Sequence, residues 1–293
     1  RSMEGYGKIV HVDGAGSKPI ISYLVWKETG KEEVFQGLAN DIIAMNLDDM
    51  YCAGLVSDIE FVDYVAMNRF NIPKELFLNS LNSGLQRAFG ILRDWSIPVS
   101  FLGGETAEAS DQVRTVDVSA SARARIKLNG VITGERIQQE DVIVGLGSFG
   151  KAVWEEKENS GIMCNGFTVA RHSLIRSSHA EQYPEIADPT AIEYKGRFAI
   201  TQYIKELGAT LGEALTSPTR MFAPVLHRIL EKYGPEDIHG IIHNTGGGLT
   251  KCLRVGKGIH FVKDNLLPIP PIFSLIQLES KRPWRSIFEG LNN

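Results

Sequence analysis

Ile97-Pro98-Val99-Ser100-Phe101-Leu102-Gly103-Gly104-Glu105-Thr106-Ala107-Glu108 is the stretch on which the reading of this chain turns. Its first half is an apolar run that reads as a buried strand. Gly103 and Gly104 then let the backbone turn or approach a ligand closely. Glu105 and Glu108 follow, carboxylates placed where a core has no use for them. A strand that delivers acids onto a glycine turn fits a metal–phosphate site. A strand end with a capping box at Thr106 fits the same residues, and the segment alone does not separate the two.

Outward from it, strand and helix patterns alternate. Residues 8–12 are strand-like and run into Asp13-Gly14-Ala15-Gly16-Ser17-Lys18, and residues 20–26 read as a second strand. Over 40–51 the period becomes helical, with Ile42, Ile43, Leu47 and Met50 on one face and Asp41, Asp48 and Asp49 largely off it. Residues 59–65 are again strand-like. Pro73 opens a long amphipathic helix reaching Trp95, with Leu76, Leu81, Leu85, Phe89 and Leu92 as its stripe. Residues 113–126 alternate Val116, Val118, Ala120 and Ala122 with polar side chains, as a half-buried strand does. A polar, glycine-containing stretch at 127–140 marks a boundary between domains 1–130 and 131–293. The second unit opens on an apolar strand over 142–146. Helices over 168–177 and 222–233 follow, with strand candidates at 238–243 and 259–262. Strands mixed with helices in both halves predict a two-domain α/β (α+β) fold.

At 293 residues the chain holds one large domain or two ordinary ones. A formal net charge of −4 gives no basic field for nucleic acid. An anionic ligand therefore has to be held by local lysines, backbone N–H groups and metal ions. Cys52, Cys164 and Cys252 are odd in number and far apart, which argues against a disulfide framework or a zinc site and fits a reducing compartment. No apolar run reaches the length of a membrane span, and the greasiest, residues 266–273, is broken by Pro268, Pro270 and Pro271. No secretion signal opens the chain, where Arg1-Ser2-Met3 reads as an expression scar. The expectation is a cytoplasmic protein.

Several segments carry chemistry. Asp13-Gly14-Ala15-Gly16-Ser17-Lys18 places a carboxylate, two glycines, a hydroxyl and an ammonium at a strand end. Backbone N–H groups there can face a phosphate, Lys18 neutralise it and Asp13 hold Mg²⁺. Walker A spacing is absent, and a glycine turn with a solvated lysine is the simpler account of the loop in isolation. Asp48 and Asp49, neighbours on a helix, diverge by about 100°, and a solvated helix face explains them. Acids near a helix C-terminus nevertheless ask for a compensating cation. Thr245-Gly246-Gly247-Gly248, after the apolar run ending at His243, fits an anion-binding nest. His243 is either a structural hydrogen-bonder or a catalyst. In Ser217-Pro218-Thr219-Arg220 the arginine is either a bidentate anion clamp or half of a structural ion pair. Ser160-Gly161-Ile162-Met163-Cys164-Asn165-Gly166 is a further glycine turn before a helix. No Ser-His-Asp or Cys-His arrangement can be assembled from spacing. Acids for a cation and glycine turns for phosphates together point to a nucleoside triphosphate site outside the P-loop plan.

In their order these motifs, with Asp41…Met45…Asp49 and Phe61-Val62-Asp63-Tyr64, resemble the phosphoribosylformylglycinamidine cyclo-ligase (aminoimidazole ribonucleotide synthetase) family of purine biosynthesis. The resemblance covers nearly the whole chain and extends to Pro270-Pro271-Ile272-Phe273 and Ile287-Phe288…Asn292. It implies that ATP phosphorylates the formyl amide oxygen of formylglycinamidine ribonucleotide. An internal nitrogen then attacks that carbon and expels phosphate, leaving ADP and 5-aminoimidazole ribonucleotide. ATP and Mg²⁺ are the implied cofactors, with K⁺ a further candidate. Asp13, Asp49 and Glu105 match the positions near the metal. Gly14, Gly16, Ser17, Lys18, Gly103, Gly104, Asn165, Gly166, Gly246, Gly247 and Gly248 match nucleotide-facing positions. Lys18, Asp63, Asn165 and His243 are the candidates for catalytic work, and Asp63 and Glu108 further acids of the cleft. The implied fold has an N-terminal sheet that forms a barrel across a homodimer and a C-terminal mixed α/β domain, with the active site at the interface. Neither nucleic acid nor membrane is implied as a partner.

The departures are specific. Met163 stands where the family carries histidine, so a catalytic duty of that histidine does not transfer. A charged segment over 151–159 is extra, Gly54-Leu55-Val56-Ser57 replaces Gly-Ala-Glu-Pro, and Asn68-Arg69 replaces Gly-Lys. Both ends read as short: a glycine-rich lysine segment is expected before Arg1 and last strands after Asn292. Alternatives within the superfamily are selenophosphate synthetase, which wants a reactive N-terminal cysteine absent before Cys52, and thiamine-monophosphate kinase. A non-catalytic nucleotide-binding homologue is the alternative from another class.

Overall fold

The computed structural model describes residues 4–290 except 189, 191 and 192, so Arg1-Ser2-Met3 and Asn292 lie outside the described residues. Four strands, β1 (Tyr6–Gly14), β2 (Val56–Met67), β3 (Val99–Glu108) and β4 (Val116–Lys127), form one sheet in the order β1-β4-β2-β3. β4 is central because it pairs antiparallel with both β1 and β2, while β3 adds parallel to β2. The alternation expected along β4 is realised: Val116, Val118, Ala120, Ala122, Ala124 and Ile126 are buried. Helices α1 (Lys18–Thr29), α2 (Gly37–Tyr51) and α3 (Lys74–Asp94) cover that face. Pro73 is the N-cap residue of α3, as its fixed φ favours. The other face leaves Val10, Val12, Val62 and Tyr64 exposed.

Residues 20–26 are not a strand. They lie inside α1, with Pro19 in its first turn and Gly30 closing it at a φ of +71°. Ile21, Tyr23, Leu24 and Val25 are all buried, and a continuous apolar run does not distinguish a buried strand from a buried helix.

The double glycine does not turn the chain either, and no helix starts at Thr106. β3 runs through both to Glu108. Its register against β2 jumps between Phe61↔Phe101 and Asp63↔Gly104, which leaves one extra residue in β3. Gly103 absorbs that bulge at a φ of +99°. Gly104 has a different reason to lack a side chain. A Cβ there would stand 1.7 Å from Asp63 Oδ1 and 2.5 Å from the Asp63 carbonyl oxygen.

The rest of the chain contains β5 (Phe149–Gly150) paired with β6 (Asn159–Ser160), α4 (Phe167–Leu174) and α5 (Ser177–Gln182). Then come β7 (Tyr203–Ile204) paired with β8 (Ala209–Thr210), α6 (Leu211–Leu215), α7 (Ala223–Lys232), α8 (Pro271–Ser280) and α9 (Trp284–Gly290). The helices expected over 168–177 and 222–233 are therefore present. The strands expected over 142–146, 238–243 and 259–262 are not. Val142 and Val144 are 86% and 78% exposed, and no described strand pairs along those runs, without which apolar sequence does not make a strand. No helix among the described residues is long and apolar enough to cross a membrane.

Gly104→Ala is expected to lower stability by about 1–3 kcal/mol through overpacking against Asp63. Gly90→Ala, where the new Cβ meets only Arg93 Nη2 at 3.9 Å, is expected to raise it by about 0.4–1 kcal/mol. Urea unfolding of both variants and of Asp63→Ala/Gly104→Ala checks this. The double variant recovers part of the loss if the carboxylate is the obstacle.

Candidate functional site

β1 presents His11 and Asp13 on its helix-facing side, and α2 presents Asn46 and Asp49 one turn apart, so the two pairs meet. Asp49 Oδ2 lies 3.1 Å from His11 Nε2, and its Oδ1 lies 2.5 Å from His243 Nδ1. Asn46 Nδ2 donates to the Asp13 carbonyl at 3.2 Å and to Ile42 O at 2.8 Å, while its Oδ1 is 3.2 Å from His11 Nδ1. Asp13 Oδ1 accepts the Gly14 N–H at 2.7 Å. His243 Nε2 is buried without a hydrogen-bond partner.

The electrostatics follow from these contacts. Burial pushes the Asp49 carboxyl up, but the hydrogen bonds and charge of His11 and His243 outweigh it and hold the group well below the usual aspartate value. The Asp49 hydrogen bond raises the pKa of His11 against the opposing effect of burial. Asp48 points elsewhere, as neighbours on a helix must. It is fully buried and accepts the N–H groups of Phe222 at 3.0 Å and Ala223 at 2.7 Å, at the start of α7. Burial lifts its pKa to about 7, opposed by His243 and those N–H groups. The solvated helix face expected for the Asp48–Asp49 pair is thus not what the fold makes of it.

Lys18 faces inward. It is 1% exposed and donates to Asp41 Oδ1 and to Ser217 O, each at 2.7 Å, with the Phe167 ring 5.7 Å away. The same Asp41 oxygen accepts the Thr219 N–H at 2.8 Å and its hydroxyl at 2.6 Å. The ammonium expected to face a phosphate is committed here to holding Ser217-Pro218-Thr219. Arg220 takes the structural of its two readings: it pairs with Glu155 of the extra charged segment and donates to the carbonyls of Gly147, Phe149 and Gly150.

The bulge at Gly103 decides where the acids of β3 point. Asp13, Ala120, Asp63 and Gly104 form one lateral row across the sheet, on the buried face of Ala120. Glu105 belongs to the next row, with Tyr64, and so faces the opposite side. Asp63 is half-buried, which raises its pKa. Glu108 ends β3 and pairs with Arg69 at 3.0 Å and Lys74 at 3.6 Å, so it starts no helix. Among the described residues no three His, Cys, Asp or Glu side chains are grouped to hold a metal ion. Asp13 and Asp49 are brought to one neighbourhood, and Glu105 is not. Carboxylate and carbonyl oxygens suit Mg²⁺, and each Asp49 oxygen already takes one histidine contact.

The remaining glycine turns keep their backbone shape. Gly16 and Gly166, each preceding a helix, have φ of +59° and +69°, and Gly247 and Gly248 have φ of +106° and +48°. Nothing lies within 4 Å of the place a Gly246 Cβ would take. The Asn165 side-chain Nδ2 is buried and unpartnered. Ser17 takes the N-cap place of α1 without a side-chain capping bond. Sequence reasoning missed His11 and Asn46 altogether, and named Thr219 only as a member of the Ser217-Pro218-Thr219-Arg220 motif, with no role of its own. The alternation of His11 and Asp13 with Val10 and Val12 along β1 was the available signal.

The N-terminal sheet and its covering helices, with their acids at strand and helix ends, are the part of the chain that a family profile covers, and it is of the AIR-synthase type. The family profile for "AIR synthase related protein, N-terminal domain" matches residues 2–126. The phosphoribosylformylglycinamidine cyclo-ligase of Methanococcoides burtonii is 32% identical over 279 residues, 94% of this chain and 67% of the relative. That of Pyrococcus furiosus is 30% identical over 98% of this chain and 70% of its own length, and that of Methanococcus vannielii 29% over 98% and 68%. The chain belongs to the phosphoribosylformylglycinamidine cyclo-ligase family.

The His11–Asp49 pair gives a signed pH prediction. A raised His11 pKa contributes stability below the ordinary histidine value of about 6.5, lost as pH rises through the folded-state value. A depressed Asp49 contributes above the ordinary aspartate value of about 3.9, lost as pH falls through its own. The pair therefore stabilises most in mildly acidic solution. Asp49→Asn is expected to bring His11 back toward its ordinary titration, followed by NMR of the imidazole protons. An unchanged His11 curve would refute the pairing.

Proposed function

We propose that this chain closes the imidazole ring of 5-aminoimidazole ribonucleotide from formylglycinamidine ribonucleotide, consuming ATP and releasing ADP and phosphate. The observation that carries it is the end-to-end match at 30–32% identity to cyclo-ligases, over 94–98% of the chain. An amide oxygen is a poor leaving group, and a phosphoryl group transferred from ATP makes it a good one. The protein's part is positioning and charge compensation. Asp13 and Asp49 would hold Mg²⁺, which supplies charge neutralisation for the phosphates when bound. The backbone N–H groups of the Gly246–Gly248 turn would face phosphate oxygens. His243, fixed through Nδ1 on Asp49, keeps Nε2 free to hold or pass a proton as the ring closes. Met163 has no proton to give, so that duty rests on the remaining groups. Lys18 serves as a positioning residue through Asp41 and Ser217. Gly103 and Gly104 serve by setting the bulge and seating Asp63, and Glu105 on the far face is a candidate for the partner subunit's side of the cleft. The division at residue 130 remains our reading of the domains.

The outer sheet face supports the homodimer. Val10, Val12, Val62 and Tyr64 are exposed side by side on β1 and β2, flanking the outward polar side chains of β4, and a second copy of the sheet would cover them. Val12→Glu is expected to shift the protein from dimer to monomer in light scattering, and an unchanged dimer would show that another face is used.

Formylglycinamidine ribonucleotide-dependent ADP release, with Mg²⁺ and K⁺ present, tests the activity. Asp49→Asn is expected to lower kcat by roughly 10²–10³. ATP binding without substrate-dependent turnover would instead support the non-catalytic reading.

A further inference from the structure

A cavity of about 350 Å³ opens beside the first turn of α1 and is lined by Gly16, Ser17, Arg114, Arg171, Glu185 and Asp188 among others. Arg171, on α4, is 8% exposed, and its Nε and Nη1 have no hydrogen-bond partner among the described residues. Its contacts are the His172 ring nitrogen at 3.4 Å from Nη2 and the face of Tyr194, 5.8 Å away. Neither is a carboxylate. A guanidinium buried without a counter-ion is costly, because desolvation is repaid only by a paired and hydrogen-bonded anion. Burial accordingly lowers the Arg171 pKa. Arg114 adds a second, half-exposed cation, held by the Ala187 carbonyl and by Asp188 at 3.8 Å. Glu185 receives the Tyr23 hydroxyl. The cavity therefore has two arginines against two acids, with both acids already engaged and the buried arginine not. α1 points its positive end at the same space, and its opening glycine, Gly16, is in the left-handed region at a φ of +59°.

The geometry points to a phosphomonoester subsite, in which Arg171, Arg114 and the Gly16–Ser17 turn receive the 5′-phosphate of the ribonucleotide substrate. This rests on the cyclisation reading for the identity of the ligand, but not for the binding chemistry. Planar guanidinium groups match phosphate oxygens bidentately, and an entering phosphate would replace the long Arg114–Asp188 contact. The loop that reads as a phosphate turn thus keeps that role through Gly16 and Ser17, while its lysine faces the interior.

Isothermal titration of the full chain with ribose 5-phosphate and with ribose, without ATP, tests the subsite. Ribose 5-phosphate is expected to bind and ribose not to. Arg114→Ala is expected to weaken binding about tenfold, and Arg171→Met to abolish it. Arg171→Met, which removes an unpaired buried charge, is also expected to melt no lower than the parent in the absence of ligand. Absence of ribose 5-phosphate binding, equal binding by the Arg114→Ala variant, or displacement by Mg²⁺–ADP would overturn the assignment. The cyclisation assay is scored separately. Turnover with an unchanged KM for formylglycinamidine ribonucleotide in Arg114→Ala would remove this subsite and leave the cyclisation reading standing. Ribose 5-phosphate binding lost in both variants, without turnover in the parent, would keep the subsite and remove that reading.

Discussion

One buried carboxylate oxygen, Asp41 Oδ1, ties together three parts of the chain. It takes the Lys18 ammonium at the start of α1 and both donors of Thr219, and Lys18 in turn holds the carbonyl of Ser217. Both charges are essentially without solvent exposure. Such a pair adds little net stability compared with an apolar replacement, but removing one partner costs about 3–5 kcal/mol because the other is left uncompensated. Its value is therefore in fixing geometry. It sets the end of the Gly16–Ser17 turn on one side and the approach to α7 on the other.

The same principle runs the length of α2. Asp41 reaches Thr219, Asp48 reaches the first N–H groups of α7, Asp49 reaches His243, and Tyr51 Oη lies 2.9 Å from His227 Nδ1. Every one of these partners lies beyond residue 210, while the apolar face of α2 packs on the N-terminal sheet. A helix that is apolar toward its own sheet and acidic toward the second half acts as the joint between them. Asp49 belongs to that fastening, and it is also an acid proposed above to hold Mg²⁺, so its two histidine contacts and the proposed cation would share one carboxylate.

The parts of this arrangement legible in the sequence are those governed by period. β1, β2, β4, α2 and α3 all follow from alternation or a helical stripe, because their burial is one-sided. α1 was not legible, since an apolar run such as residues 20–26 carries no period that distinguishes strand from helix. The bulge at Gly103 was not legible either. It depends on β3 holding one residue more than β2 between two pairs, which only the register reveals. That single residue moves Glu105 to the far face, so the set Asp13, Asp49 and Glu105 is chemically consistent but not spatially assembled. Asp41 and Asp48 were visible as acids off the apolar stripe. Their burial was not, because it depends on partners such as Thr219 and Phe222, more than 170 residues away in the chain. The apolar runs in the second half failed as strands for a related reason: their propensity needed a neighbouring strand that no local pattern supplies.

Met163 shows how a glycine-flanked turn is held in a strained backbone shape by its neighbours. Its φ is +54°, a region that non-glycine residues enter at a cost of roughly 1–2 kcal/mol. Its side chain is nevertheless 1% exposed. Gly161 and Gly166 flank it with φ of +80° and +69°. The strain is held by neighbours: the Ser160 hydroxyl, anchored on Ala214 O, accepts the Ile162 N–H, and Cys164 Sγ lies 3.1 Å from Thr219 Oγ1. The last contact returns to the Asp41 cluster. The turn before α4 is therefore linked, through Thr219, to the buried Asp41 carboxylate that holds Lys18 at the start of α1. Just past that methionine the turn leaves the Asn165 Nδ2 buried with no hydrogen-bond partner among the described residues.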